Sequence, residues 1–205
     1  MICPFYFMSK FTTQELDLAS DPTILLIKYR MMEKVWDFLE EFQGDLKRSL
    51  ISLKGKLPAD LNLDHSKISR GGNYKHLPYM ILDFPAYFSK EHIFAYRTMF
   101  YWGNFISSTF HLQGKFVRKY GLDLIERFRD SDSIYFCVSN SPWEYVYKSN
   151  NYVLLKKVSV DEIEDHLQDT GFIKLSIKFP VEEMPERKLD IKNFILEGLK
   201  VIQTN

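Results

Sequence analysis

The sequence predicts a single α+β domain over residues 1–205, with a mainly antiparallel sheet packed against a long N-terminal helix and a C-terminal helix. Three observations carry this. A helical apolar stripe is sustained over about thirty residues near the start. A dense aromatic segment alternates with period two around Gly103-Asn104. Most later strand-like runs are joined by short turns and not by helical crossovers, which favours antiparallel pairing.

In chain order, Ser9 to Leu18 reads as a lead-in strand or loop, because Ser9, Thr12 and Thr13 are turn-prone. Ser20-Asp21-Pro22 is a helix start, with a capping side chain and a proline in the first turn. The stripe runs through Ile24, Ile27, Met31, Val35, Phe38, Leu39, Phe42, Leu46, Leu50 and Leu53, then stops near Gly55 and Pro58. Gly44 inside it costs about 1 kcal/mol relative to alanine. Residues 57–66 read as a connector, with Pro58, Asn62 and Asp64 as breakers.

A basic glycine loop is expected next, from Lys67 through Arg70, Gly71, Gly72, Asn73 and Lys75 to His76. A short apolar strand from Tyr79 to Phe84 is expected to end at Pro85. In the hairpin, a two-residue turn at Gly103-Asn104 sets Trp102 opposite Phe105, Thr98 opposite Thr109 and Tyr96 opposite His111. That register puts Phe94, Tyr96, Thr98 and Phe100 on one face with Ser107, Thr109 and His111, as a partner surface or ligand floor. The other face, with Met99, Tyr101, Ile106, Phe110 and Leu112, then reads as core, and Arg97 is a polar member of it.

Helical spacing returns from Lys115 to Phe128. Ser133 to Val138, Trp143 to Lys148 and Tyr152 to Val158 read as strands. Ser159-Val160-Asp161-Glu162 forms a capping box that opens a helix to about Leu167. Phe172 to Phe179 alternates as a strand with Lys174, Ser176 and Lys178 on its polar side, and a last helix runs from about Leu189 to Ile202.

Composition bounds the function. The 45% apolar and 26% charged content is that of a soluble globular protein, and the 16% aromatic content suits a sheet with large packed side chains. Lys plus Arg equals Asp plus Glu at 27 each, which argues against a nucleic-acid binder. Cys3 and Cys137 give neither a disulfide framework nor a zinc site, and fit a cytoplasmic, reducing compartment. Met1 to Met8 is apolar but lacks the charged start and the length of apolar run of a signal peptide, and no apolar run reaches the ~18 residues of a membrane span.

Among the candidate site residues, Lys67, Arg70 and Lys75 are cations beside glycines whose N–H groups could form an anion nest. The segment lacks the Gly-Lys-Ser/Thr ending of a phosphate loop, so a solvated loop is the alternative. Arg97 on an apolar strand needs an anion, either an internal carboxylate such as Asp83 or Glu91 or the phosphate or carboxylate of a bound ligand. His76, His92 and His111 have no metal-ligand spacing, so no metal or other cofactor is expected. Tyr96 and His111, if paired, would suit proton donor and general base, with His76 as a further candidate; plain packing is the alternative. Cys137, between Phe136 and Val138, reads as an inert buried thiol.

The segments Asn73-Tyr74-Lys75-His76-Leu77-Pro78-Tyr79 and Glu91-His92-Ile93-Phe94-Ala95 resemble a pattern in the YktB-like family of bacterial proteins. Members of that family have a long amphipathic N-terminal helix, a basic loop, a tyrosine-lysine-x-leucine-proline step and a glutamate-x-histidine strand opening, and they end in a strand and a helix. This chain departs from the pattern at Lys67-Ile68-Ser69-Arg70, where the family has histidine and paired arginines, and in the adjacency of Glu91 and His92. The resemblance implies an α+β fold in a bacterial protein. It implies no chemistry, since the family's function is unknown.

Two function classes follow. One is a non-enzymatic domain that binds a small anionic ligand or a partner protein. The other is an enzyme acting on a small anionic substrate, such as a phosphorylated one, held by the basic loop and Arg97. The oligomeric state is open.

Overall fold

The computed structural model describes residues 10–61, 63 and 66–202. Met1 to Met8, Cys3, Asn62 and Asp64 lie outside them. The core is a seven-stranded antiparallel sheet in the order β1-β2-β3-β4-β7-β5-β6. Its strands are β1 (Lys67–Tyr74), β2 (Leu77–Phe88), β3 (Ile93–Tyr101), β4 (Phe105–Gln113), β5 (Tyr135–Cys137), β6 (Tyr152–Leu154) and β7 (Phe172–Phe179). Five α-helices accompany them among the described residues: α1 (Thr13–Ser20), α2 (Thr23–Leu50), α3 (Lys115–Phe128), α4 (Val160–Thr170) and α5 (Lys188–Val201). Among the described residues no helix is long and apolar enough to cross a membrane.

The long helix starts where expected. The Asp21 carboxylate accepts from the Thr23 N–H at 2.9 Å, which satisfies one of the orphan donors of the first turn. From Val35 onward the stripe is buried: Val35, Leu39, Phe42, Leu46 and Leu50 pack on β1 and β2. Ile24 and Ile27, on the same stripe, do not reach the body and stay at least half exposed. From Thr13 the lead-in is a helix, not a strand or loop, and Ser9 lies outside the described residues. Thr12 and Glu15 close a reciprocal capping box that opens α1.

The basic glycine segment is also not a loop. It is the edge strand β1, paired with β2 from Lys67↔Asp83 to Tyr74↔Leu77. Gly71 serves this pairing by its size: a Cβ there would stand 2.4 Å from Tyr79 Cζ, so the glycine lets the Tyr79 ring lie across the strand. Strand β2 continues past Pro85 through a cis Phe84–Pro85 peptide and a register shift between Asp83 and Ala86, where an irregular ladder tolerates a missing N–H.

The hairpin register differs by one residue from expectation. Tyr101, not Trp102, stands opposite Phe105, and the loop is the three residues Trp102, Gly103 and Asn104. Gly103 adopts φ +67, and Asn104 N–H donates to the Tyr101 carbonyl at 3.0 Å. Three-residue hairpin loops place a glycine at such a left-handed position. Because side chains alternate, this slip turns every β4 side chain over. Thr98 faces Ser108, at 3.0 Å between hydroxyls, and Tyr96 faces Phe110. The face shared by Phe94, Tyr96, Phe100, Ile106, Phe110 and Leu112 is the helix-covered core, closed by Phe116, Leu124, Phe194 and Ile195 of α3 and α5.

Close packing there makes a sharp contrast between two glycines. A Cβ on Gly198 of α5 would stand 2.4 Å from Phe110 Cζ and 3.1 Å from Leu124 Cδ1, whereas one on Gly44 of α2 would meet only Arg48 Nη1 at 3.5 Å. Gly44→Ala is expected to stabilise by about 0.5–1 kcal/mol through helix propensity. Gly198→Ala is expected to destabilise by about 1–2 kcal/mol, because overpacking outweighs the same propensity gain. Urea midpoints of the two variants check the opposite signs.

Trp143 to Lys148 does not form a strand, and β6 covers only part of Tyr152 to Val158. Residues 138–151 instead form an irregular strap across the sheet face opposite the helices. The capping box at Ser159 opens α4, with Ser159 and Glu162 bonded reciprocally.

Candidate functional site

The strap-covered face is built by cross-strand register. Asp83, Arg97, Thr109 and Ser176 lie in one row across β2, β3, β4 and β7, and Ala95, His111 and Lys174 in the next. Most of these side chains are polar, yet His111, Lys174, Thr109 and Ser176 are all buried. What buries them is the strap.

At the middle of the strap, backbone N–H groups turn to side chains and not to a strand. The N–H groups of Tyr145 and Val146 each donate to Glu144 Oε1 at 3.1 Å, and Tyr145 N–H also donates to Tyr74 Oη at 2.9 Å. The Tyr74 hydroxyl donates to the Glu144 carboxylate, and Lys75 Nζ stands 2.8 Å from Glu144 Oε2. Although partial burial works against it, these donors hold the Glu144 carboxyl down at about 2. Glu144 thereby clamps the strap to the turn between β1 and β2, where Lys75 and His76 both adopt positive φ.

Beneath the strap, Arg97 is paired internally. Its Nε and Nη2 donate to Asp83 at 2.7 and 2.9 Å, and its Nη1 donates to the Tyr145 hydroxyl. Of the two carboxylates considered, Asp83 is the partner; Glu91 is exposed at the opening of β3. Lys174 has no such partner. Its Nζ donates to the Glu144 carbonyl at 2.6 Å and stands over the rings of Tyr145 at 4.3 Å and Tyr152 at 5.0 Å. Among the described residues no carboxylate lies in ion-pair distance of this amine, and burial draws it down to about 8.

His111 lies between the rings of Trp143 and Phe172, and its Nε2 has no hydrogen-bond partner among the described residues. Burial first, then Lys174 and Arg97, lower it to about 3, so the imidazole is neutral. The Ser176 hydroxyl joins those of Thr109, at 2.6 Å, and Tyr147. The Tyr152 hydroxyl, also buried, is unpartnered among the described residues. Cys137 is buried beside Asn151 Oδ1 at 3.5 Å, and burial pushes its thiol up.

A polar cleft of about 310 Å³ opens on the strap, lined by Lys75, Trp143, Glu144, Lys148 and Asn151 among others. Three of these reach the buried cluster: Trp143 touches His111, the Glu144 carbonyl holds Lys174, and the Asn151 amide oxygen meets the Cys137 thiol. The cleft and the cluster share one wall.

The residues picked out from the sequence fall in different places. Lys75 lines this cleft, and Arg97 lies under the strap. Lys67 and Arg70 lie on β1, where Arg70 stands 3.8 Å from Glu33, and Gly71 and Gly72 are extended strand residues without the left-handed backbone of an N–H nest. Tyr96 and His111 do not pair. Tyr96 points to the helices and donates to the Ile191 carbonyl at 2.7 Å, while His111 points to the strap. His76 is exposed in the β1–β2 turn, and His92 accepts from Lys115 N–H at 3.3 Å, so the three histidines do not converge. No group of His, Cys, Asp and Glu that could hold a metal ion occurs among the described residues.

Sequence reasoning missed Lys174, Glu144 and Tyr145. The alternation of β7 placed Lys174 on the polar side but carried no sign of a roof above it. Fold and site define an α+β domain with a strap-roofed, cation-bearing polar cluster on the sheet face away from its helices. Comparison with family models, curated proteins and solved structures finds no match to this chain.

Proposed function

We propose that this chain is a non-enzymatic binding domain for a small carboxylate- or phosphate-bearing ligand that enters the cleft on the strap. The observation that carries the reading is Lys174, a fully buried ammonium with a carbonyl and two rings for company and, among the described residues, no carboxylate in ion-pair distance. Buried charges are ordinarily paired, and an anion in the cleft would supply the missing charge. Lys75 and Lys148 line the entry, with Glu144 as the one carboxylate among the cleft residues. The YktB-like resemblance is compatible with such a domain and adds no substrate.

A thermal-shift titration with inorganic phosphate and with succinate tests this. The melting temperature is expected to rise with one of them, by an amount equivalent to about 2.7 kcal/mol at a hundred times its Kd. Lys174→Met, which keeps the stem and removes the charge, is expected to lose the response. An equal rise in that variant, or no rise with either anion, would count against the reading.

A second reading rests on the same amine. A lysine drawn towards neutrality by burial is the form that attacks carbonyl groups, which favours an enzyme acting on a small anionic carbonyl compound. Treatment with a keto acid and cyanoborohydride would leave a mass adduct on Lys174 if this reading holds, and none if the amine only binds.

A further inference from the structure

The N-terminal arm presents apolar surface that the body does not cover. Ile24, Leu25, Leu26, Ile27 and Tyr29 at the start of α2 are 50–65% exposed. Four of these are consecutive, and at 3.6 residues per turn they point around the whole circumference of the helix. Helices apolar on every side are buried ones. In α1, Leu16 and Leu18 are exposed to a similar degree. Beside the arm lies a groove of about 420 Å³ between Leu25, Tyr29 and Met32 of α2 and Arg70, Gly71 and Pro78 at the sheet edge.

We propose that two copies of this chain form a two-fold dimer by exchanging arms. The start of α2 and α1 of each copy would lie in the groove between α2 and β1 of the other. Area favours this occupant. Each large apolar side chain removes on the order of 120 Å² from water when fully buried, so the exposed part of these seven amounts to roughly 500 Å². With an apolar share of ~65% for a homodimer interface, that corresponds to on the order of 800 Å² per copy, the size of a stable interface. Wrapping by a second helix also covers several sides of α2, which a flat partner would not.

Charge points the same way. From Lys10 to Lys34 the arm carries Lys10, Lys28, Arg30 and Lys34 against Glu15, Asp17, Asp21 and Glu33. A neutral mixture of both signs can meet its own copy without like-charge repulsion. Binding to an anionic bilayer would call for a cationic excess.

Sedimentation equilibrium of the full chain over a wide concentration range tests the proposal. The expected result is a species of twice the 24.4 kDa chain mass. Leu25→Glu/Tyr29→Glu alters two exposed side chains that line the groove, and is expected to weaken self-association by about 100-fold or more with an unchanged circular dichroism spectrum. A monomer at every concentration would overturn the proposal. So would a dimer that the double variant leaves intact, or a monomeric chain that floats with vesicles of phosphatidylcholine and phosphatidylserine.

Discussion

Arg97→Ala is expected to destabilise the fold by about 2–4 kcal/mol, a little below the cost of removing one member of a fully buried ion pair. The Arg97 and Asp83 side chains are each 14% exposed, and the guanidinium makes two bonds to the carboxylate and one to Tyr145. Without it, the Asp83 carboxylate remains under the strap with its charge uncompensated, and the Tyr145 hydroxyl loses its donor. The double variant Asp83→Asn/Arg97→Met removes both charges and is expected to recover most of the loss, since apolar or neutral replacement of a whole buried pair is often tolerated. Urea denaturation of the two variants checks the difference. A loss under 1 kcal/mol in Arg97→Ala would show that water reaches this row of the sheet.

Lys174→Met is expected to act in the opposite direction. An unfolded lysine titrates near 10.4, whereas burial brings Lys174 down to about 8. Between those values the unfolded chain holds a proton that the folded chain has released, so stability rises with pH across this window. Below about pH 8 both forms are protonated and the penalty is complete, on the order of 3 kcal/mol. The methionine variant loses the bond to the Glu144 carbonyl and the ring contacts, yet sheds the buried charge. A net gain of about 1–3 kcal/mol at pH 7 is expected, with a flatter stability profile from pH 8 to 10. A destabilised variant would mean that ring and carbonyl contacts outweigh desolvation at this amine.

The elements that could be read from the sequence are those specified by local pattern. The stripe from Val35 to Leu50, the capping box at Ser159 and the alternation of Phe172 to Phe179 each depend on residues a few positions apart, and each recurs in the fold. Thr12 and Glu15 carried the same capping signature and would have disclosed α1. The hairpin slip had a physical cause: Gly103-Asn104 serves a two-residue turn and a three-residue loop equally well, and the choice turns β4 over. The glycines of β1 resembled a loop because the feature that needs them, the Tyr79 ring lying across Gly71, belongs to another strand.

The site was less legible. Arg97 and its partner Asp83 could be proposed from charge on an apolar strand, and they are paired. Lys174 could not be picked out from Lys178, four residues further along the same strand face, because their difference is made by how far residues 138–151 fold over each: Lys174 is buried, whereas Lys178 meets the Tyr147 ring at 4.8 Å and stays exposed. Burial conferred by distant chain leaves no local periodicity.

The strand order has a consequence for how the chain is assembled. Strands β1 to β4 are sequential neighbours, a meander complete by Gln113, but the partner on the far side of β4 is β7, which begins only at Phe172. During synthesis the ribosome must therefore deliver some sixty further residues before the β4 edge is paired, and that edge, rich in aromatic and β-branched side chains, stays open to other chains meanwhile. Strand β7 is thus what seals a meander made long before it.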